Sequence, residues 1–184
     1  MKILIYFLII VLWSINMEAK VKLPPLLSDN MVLQQKSNVR IWGKATPNST
    51  VVVTPSWANK EVKTHADEKG CWELQITTPA ASFEEYTLTL TDGEQSVTLQ
   101  HLLIGEVWLC AGQSNMRYGY EYPYWTDYHN DVDSGLLDNE NIRIISNENN
   151  TVSNYWETDT VGWKQSNTQS IQDLKFSATA SYFG

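Results

Sequence analysis

The chain has 184 residues, 42% of them hydrophobic, and carries a formal net charge of −8 at pH 7. That length holds one ordinary domain, or a small domain plus part of another. The acidic balance leaves no basic footprint, which excludes nucleic acid and an anionic membrane surface as expected partners. At the start, Lys2 supplies a positive n-region, Ile3–Val11 is an almost unbroken apolar run, and the polar stretch Ser14–Ala19 follows. Residues 1–19 therefore read as a secretory signal peptide, too short to prefer a transmembrane span, with Ala19 before the cut. Met17 is an imperfect residue at the −3 position, so an uncleaved anchor is the alternative. The expected location is secreted or periplasmic, with no membrane association after cleavage. No cysteine lies near the leader, which argues against a bacterial lipoprotein.

Residues 20–104 read as an all-β sandwich, Ig-like or jelly-roll-like. Val39–Trp42 alternates, Thr50–Thr54 is β-branched, and Trp72–Ile76, Tyr86–Leu90 and Val97–Leu99 alternate again. Pro47-Asn48, Asp67-Glu68-Lys69-Gly70 and Asp92-Gly93 supply the turns between them. Trp42, Trp57 and Trp72 form either a sugar-binding face or, more simply, part of the core. The chain has two cysteines, Cys71 and Cys110. A disulfide between them is compatible with export, but two cysteines make no framework, and a free, buried Cys110 is the simpler reading. The sequons Asn48-Ser49-Thr50 and Asn149-Asn150-Thr151 matter only in a host with N-glycosylation.

At Gly105 the pattern changes. Val107–Ala111 is a short apolar run that reads as a buried strand, and Gly112 lets the backbone turn sharply after it. Ser114 then falls at the carboxyl end of that strand, where open α/β sheets place their ligands. Residues 118–128 hold Tyr118, Tyr120, Tyr122, Tyr124, Trp125 and Tyr128, while Gly119 and Pro123 exclude a long regular helix. These rings either stack on a sugar or pack against the adjoining sandwich. Asn130–Asn141 reads as a polar surface stretch, Ile142–Ile145 as a second strand, and Gly162–Lys164 as a short extended piece. Asp173 is the expected cap of a last helix containing Leu174, Phe176, Ala180 and Phe183.

The Gly112-Gln113-Ser114-Asn115 block resembles the nucleophile block of one branch of the SGNH hydrolases. The α/β-hydrolase elbow Gly-x-Ser-x-Gly is not matched, because Met116 stands where its second glycine would be. Leu26–Gln35, Val39–Gly43, Gly70-Cys71-Trp72 and Gly105–Met116 resemble, in the same order, the sialate O-acetylesterase-like proteins. Asn141-Ile142-Arg143-Ile144 and Phe176–Gly184 continue that resemblance.

The resemblance implies a secreted carbohydrate O-acetylesterase without a cofactor, with sialic acid O-acetyl groups or another O-acetylated sugar as substrate. Ser114 would be the catalytic nucleophile, with its backbone N–H in the oxyanion hole and Gln113 and Asn115 in positioning roles. Residues 105–184 would then be the incomplete, amino-terminal part of an α/β, flavodoxin-like SGNH catalytic domain, with Gly184 falling mid-helix. A serine needs an adjacent base. In the family that base lies in an Asp-x-x-His-type motif in the carboxyl-terminal half, which would be the missing partner. His65 and His101 fall in expected strands, and His129, fifteen residues after Ser114, reads as a loop residue beside Asp127 rather than the base. The chain alone is therefore expected to be inactive. A non-catalytic carbohydrate-binding or interaction module left by truncation is the competing reading.

Overall fold

The computed structural model describes residues 21–58, 60–146 and 162–183, so the leader and the Asn149 sequon lie outside them. The architecture is mostly β. In the first part the strands are β1 Val32–Gln34, β2 Asn38–Lys44, β3 Thr50–Pro55, β4 Val62–His65, β5 Cys71–Thr77, β6 Ser82–Thr91 and β7 Ser96–Gly105. Five form a mixed sheet in the order β1-β7-β6-β3-β4, and β2 pairs with β5. The β1–β7 pair is parallel, with Gln34 opposite Gly105, and the other pairs are antiparallel.

Two-residue alternation builds the core between the two sheets. Strand β5 buries Trp72, Leu74 and Ile76 and turns Glu73 and Gln75 outward. Ile41 of β2 joins them, and the larger sheet contributes Val51, Val53, Leu88, Leu90, Leu99 and Leu102. Trp72 is buried, while Trp42 and Trp57 pack partly buried against the same core. Trp57 also donates its indole N–H to the Thr77 carbonyl at 3.0 Å and meets Tyr86 edge-on. The three tryptophans are packing residues, not a sugar-binding face. The expected strands match β2, β3, β5, β6 and β7, and His65, placed in an expected strand, lies in β4; β1 had no counterpart in the sequence reading.

The Asp92-Gly93 turn shows how one buried carboxylate organises a hairpin. Asp92 Oδ1 accepts from the N–H groups of Glu94 and Gln95 at 3.2 and 3.0 Å. Its Oδ2 accepts from the Thr46 hydroxyl at 2.8 Å and the Thr46 N–H at 3.3 Å. Burial pushes the carboxyl's pKa up, but the four donors outweigh it, so the net displacement is below the ordinary 3.8. A depressed folded-state pKa contributes stability that is fully present above the unfolded value and is lost as pH falls through the folded one. Asp92→Ala is expected to cost about 1–3 kcal/mol near neutral pH by orphaning these donors. In thermal melts the gap to the parent should narrow under acid; a gap that widens on acidification contradicts this account.

In the second part, α1 Ser114–Arg117, α2 Thr126–Asp133, β8 Asn139–Ile144, β9 Lys164–Ser166, α3 Thr168–Asp173 and α4 Ala178–Phe183 follow. A second core gathers Tyr128, Val132, Ile144, Ile171, Leu174 and Ala178. Three sequence expectations need correction here. Asn130–Asn141 is not one surface stretch: α2 occupies its start and β8 its end, because Tyr128 and Val132, one turn apart, bury a common helix face. Asp173 ends α3, which is capped by Asn167, its side chain accepting from the Ser170 N–H at 2.9 Å, and the last helix, α4, takes in Ala180 and Phe183 but not Leu174 or Phe176.

Val107–Ala111 is neither a strand nor buried: Val107, Trp108 and Leu109 are 41, 67 and 92% exposed. An apolar run becomes a buried strand only where neighbours pair its backbone and cover its faces. Here β8 and β9 pair antiparallel with each other, and among the described residues no strand pairs with 107–111. Cys110 is consequently exposed, and both cysteines are free.

The two cores are tied together. Trp163 packs on the first core and donates its indole N–H to the Leu26 carbonyl at 2.9 Å. Arg143 of β8, its side chain almost wholly buried, donates to the Glu140 carbonyl and lies 3.8 Å from Glu85 of β6. Burial lowers the pKa of that guanidinium. Among the described residues no helix is long and apolar enough to cross a membrane.

Candidate active site

The path into the serine turn is clamped at its base. Glu106 accepts hydrogen bonds from the side-chain amides of Gln34 at 2.9 Å and Gln35 at 2.6 Å. These two donors pull the Glu106 pKa below its ordinary value. Gln34 returns a bond, its Oε1 accepting from the Val107 N–H at 2.9 Å. Two motifs some seventy residues apart thus meet where β1 runs parallel to the end of β7, with Gln34 opposite Gly105. Neither glutamine nor Glu106 carried any local signal of this clamp, since periodicity reports faces and not long-range partners.

Beyond the clamp the chain reaches α1. Gln113 is its N-cap residue, without a side-chain capping bond, and its carbonyl accepts from the Met116 N–H at 3.0 Å. Ser114 opens the helix, exposed, and among the described residues neither its hydroxyl nor its N–H is engaged. Asn115 is exposed, and its carbonyl accepts from the Thr179 hydroxyl at 3.0 Å, which fastens α1 to α4. Trp108 and Phe183 meet edge-on at 5.1 Å between ring centroids on the same side. Gly119 closes the loop beneath. It bridges to Ser177, and a Cβ there would stand 2.2 Å from the Lys175 carbonyl oxygen and 2.8 Å from that of Phe176. Only glycine fits that approach.

None of the chain's three histidines engages Ser114. His65 Nδ1 lies 3.3 Å from the Thr50 hydroxyl, and His101 Nδ1 lies 2.7 Å from Glu85. His129 sits on α2 rather than in a loop, stacked on Tyr120 at 4.6 Å, with its buried Nε2 unpartnered among the described residues. Among the described residues no group of three His, Cys, Asp or Glu side chains is placed to hold a metal ion. A groove of about 640 Å³ runs between the β1–β7 edge and the second core, lined by Val32, Ile104, Trp108, Ile142, Arg143 and Phe183 among others. Ser114 is not part of its wall.

No model of a known protein family matches the chain. Sialate O-acetylesterase of Homo sapiens is 33% identical over 102 residues, which is 50% of this chain and 19% of that protein. The Mus musculus sialate O-acetylesterase is 35% identical over 100 residues, 50% of this chain and 18% of its own length. The crystal structure of a carbohydrate acetylesterase from Xanthomonas citri matches with a TM-score of 0.72 at 24% identity, over 89% of this chain and 36% of that one. Over half of its length the chain is thus similar to sialate O-acetylesterases, and its fold is similar to that of a carbohydrate acetylesterase. The stretch it shares with its curated relatives is less than a fifth of their length. The Gln34–Gln35–Glu106 clamp unites two of the stretches that carry the resemblance.

Proposed function

We propose that this chain supplies the nucleophile-bearing, amino-terminal part of a secreted serine acetylesterase acting on O-acetylated sugars, with sialic acid O-acetyl esters as the leading substrate. The observation that carries the reading is Ser114, exposed and unengaged at the start of a helix whose approach is clamped and whose far side is fastened to α4. In this mechanism the Ser114 hydroxyl oxygen attacks the acetyl carbonyl. A histidine takes its proton, the sugar hydroxyl departs, and water then hydrolyses the acyl-serine. The Ser114 N–H donates to the oxyanion. Gln113 and Asn115 shape the turn: Gln113 through its capping carbonyl, Asn115 through Thr179.

The histidine is supplied from outside residues 21–183, in the carboxyl-terminal half that the family resemblance implies. Residues 20–104 form the β domain, and residues 105–184 are the first part of the hydrolase domain. A non-catalytic carbohydrate-binding module is the second reading, and the distance of all three histidines from any bond with Ser114 favours it. Acetate release decides between them. A full-length enzyme containing this segment should release acetate from O-acetylated sialic acid faster than from a simple alkyl acetate. Equal rates on both would remove the sugar from the proposal, and no release from either would favour the binding module.

A further inference from the structure

One turn beyond Ser114 lies an aromatic array that neither core absorbs. Tyr118, which ends α1, stacks on Trp125 with centroids 5.8 Å apart and planes 28° from parallel. Tyr122 meets Tyr118 edge-on at 5.0 Å. Its neighbours Tyr120 and Tyr128 pack into the second core, but Tyr118, Tyr122 and Trp125 belong to neither apolar cluster. Among the described residues, none of these three rings joins the core of the β domain, the alternative the sequence left open for them. Trp125 remains 39% exposed and the adjacent Tyr124 89%.

The array is held in place by its backbone. The Ala178 N–H donates to the Tyr118 carbonyl at 2.8 Å, the Tyr122 N–H to the Gly119 carbonyl at 3.1 Å, and the Trp125 N–H to the Tyr122 carbonyl at 3.4 Å. Gly119 is wedged under the carbonyls of Lys175 and Phe176. Arg117, Glu121 and Asp127, close to these rings in sequence, are exposed. A fixed, partly exposed aromatic face matches a sugar ring, whose axial C–H groups are apolar.

We propose that Tyr118 and Trp125 form a saccharide subsite that stacks the pyranose ring of the ester substrate. The choice of an acetylated sugar rests on the acetylesterase reading; the binding of a pyranose does not. By this geometry the subsite is a positioning element, placing the ring one helical turn from the nucleophile, and takes no part in bond making.

Saturation-transfer NMR on the chain, with N-acetylneuraminic acid as the probe and free acetate as a control, tests this directly. Saturation should reach the pyranose ring protons and be absent from free acetate. Trp125→Ala should weaken binding about tenfold, whereas Trp125→Phe, which keeps an aromatic face, should stay within about threefold of the parent. Ser114→Ala should bind like the parent, so loss of the subsite and loss of the nucleophile are read separately. Unchanged binding in Trp125→Ala, or no transfer to ring protons at millimolar sugar, overturns the proposal. Because Trp125 lies outside both cores, a far-UV circular dichroism spectrum matching the parent is expected. If Trp125→Ala misfolds, Trp125→Phe and Tyr118→Leu carry the test: binding kept in the first and lost in the second supports the subsite, and equal loss in both overturns it.

Discussion

Replacing Ser114 with alanine in a full-length enzyme that contains this segment is expected to abolish acetyl-ester hydrolysis while leaving the fold intact. Loss of the nucleophile alone removes on the order of 10⁶-fold of rate in a well-characterised serine hydrolase. The fold should survive because Ser114 is exposed and its hydroxyl has no partner to lose among the described residues. Acetate release measured beside far-UV circular dichroism separates the two effects. Activity within tenfold of the parent would mean that another group attacks the ester.

The second large effect concerns stability. Leu90 of β6 is fully buried between the two sheets of the first core. Leu90→Ala removes its methyl groups and leaves a cavity that close-packed neighbours cannot fill, at a cost of about 2–5 kcal/mol. Phe83 on the same strand is 82% exposed, so Phe83→Ala should fall within about 0.5 kcal/mol of the parent. Urea unfolding followed by tryptophan fluorescence gives both values. Trp163 and Arg143 tie the second part to the first, so the Leu90 variant should also lower the midpoint reported by the second core. A second-core transition that ignores Leu90→Ala would show the two parts to be energetically separate.

How much of this could be read beforehand depended on whether the relevant physics was local. β5 was legible because Trp72, Leu74 and Ile76 alternate with polar residues, and β3 because β-branched residues fill it. β1 is three residues long. It exists through its pairing with β7, which a short window does not contain. Val107–Ala111 fails in the opposite direction: its composition suits a buried strand, but a strand is made by its neighbours. In α2, the Tyr128–Val132 spacing was a readable helical signal, overshadowed by the surrounding Asn and Asp.

The site divides along the same line. The sequence proposes Ser114 through the Gly112–Asn115 block, and the structure leaves it exposed at the start of α1. The clamp joining Gln34 and Gln35 to Glu106 spans more than seventy residues and had no local trace. His129, read from the sequence as a loop residue rather than the base, sits instead on α2 with its ring stacked on Tyr120.

The central claim is that Ser114 is a nucleophile awaiting a base from outside residues 21–183, and turnover of p-nitrophenyl acetate by the chain itself tests it most directly. The parent, Ser114→Ala and His129→Ala proteins should all hydrolyse the ester at the same background rate. Turnover by the parent that disappears in both variants would contradict the account and establish a local Ser114–His129 pair.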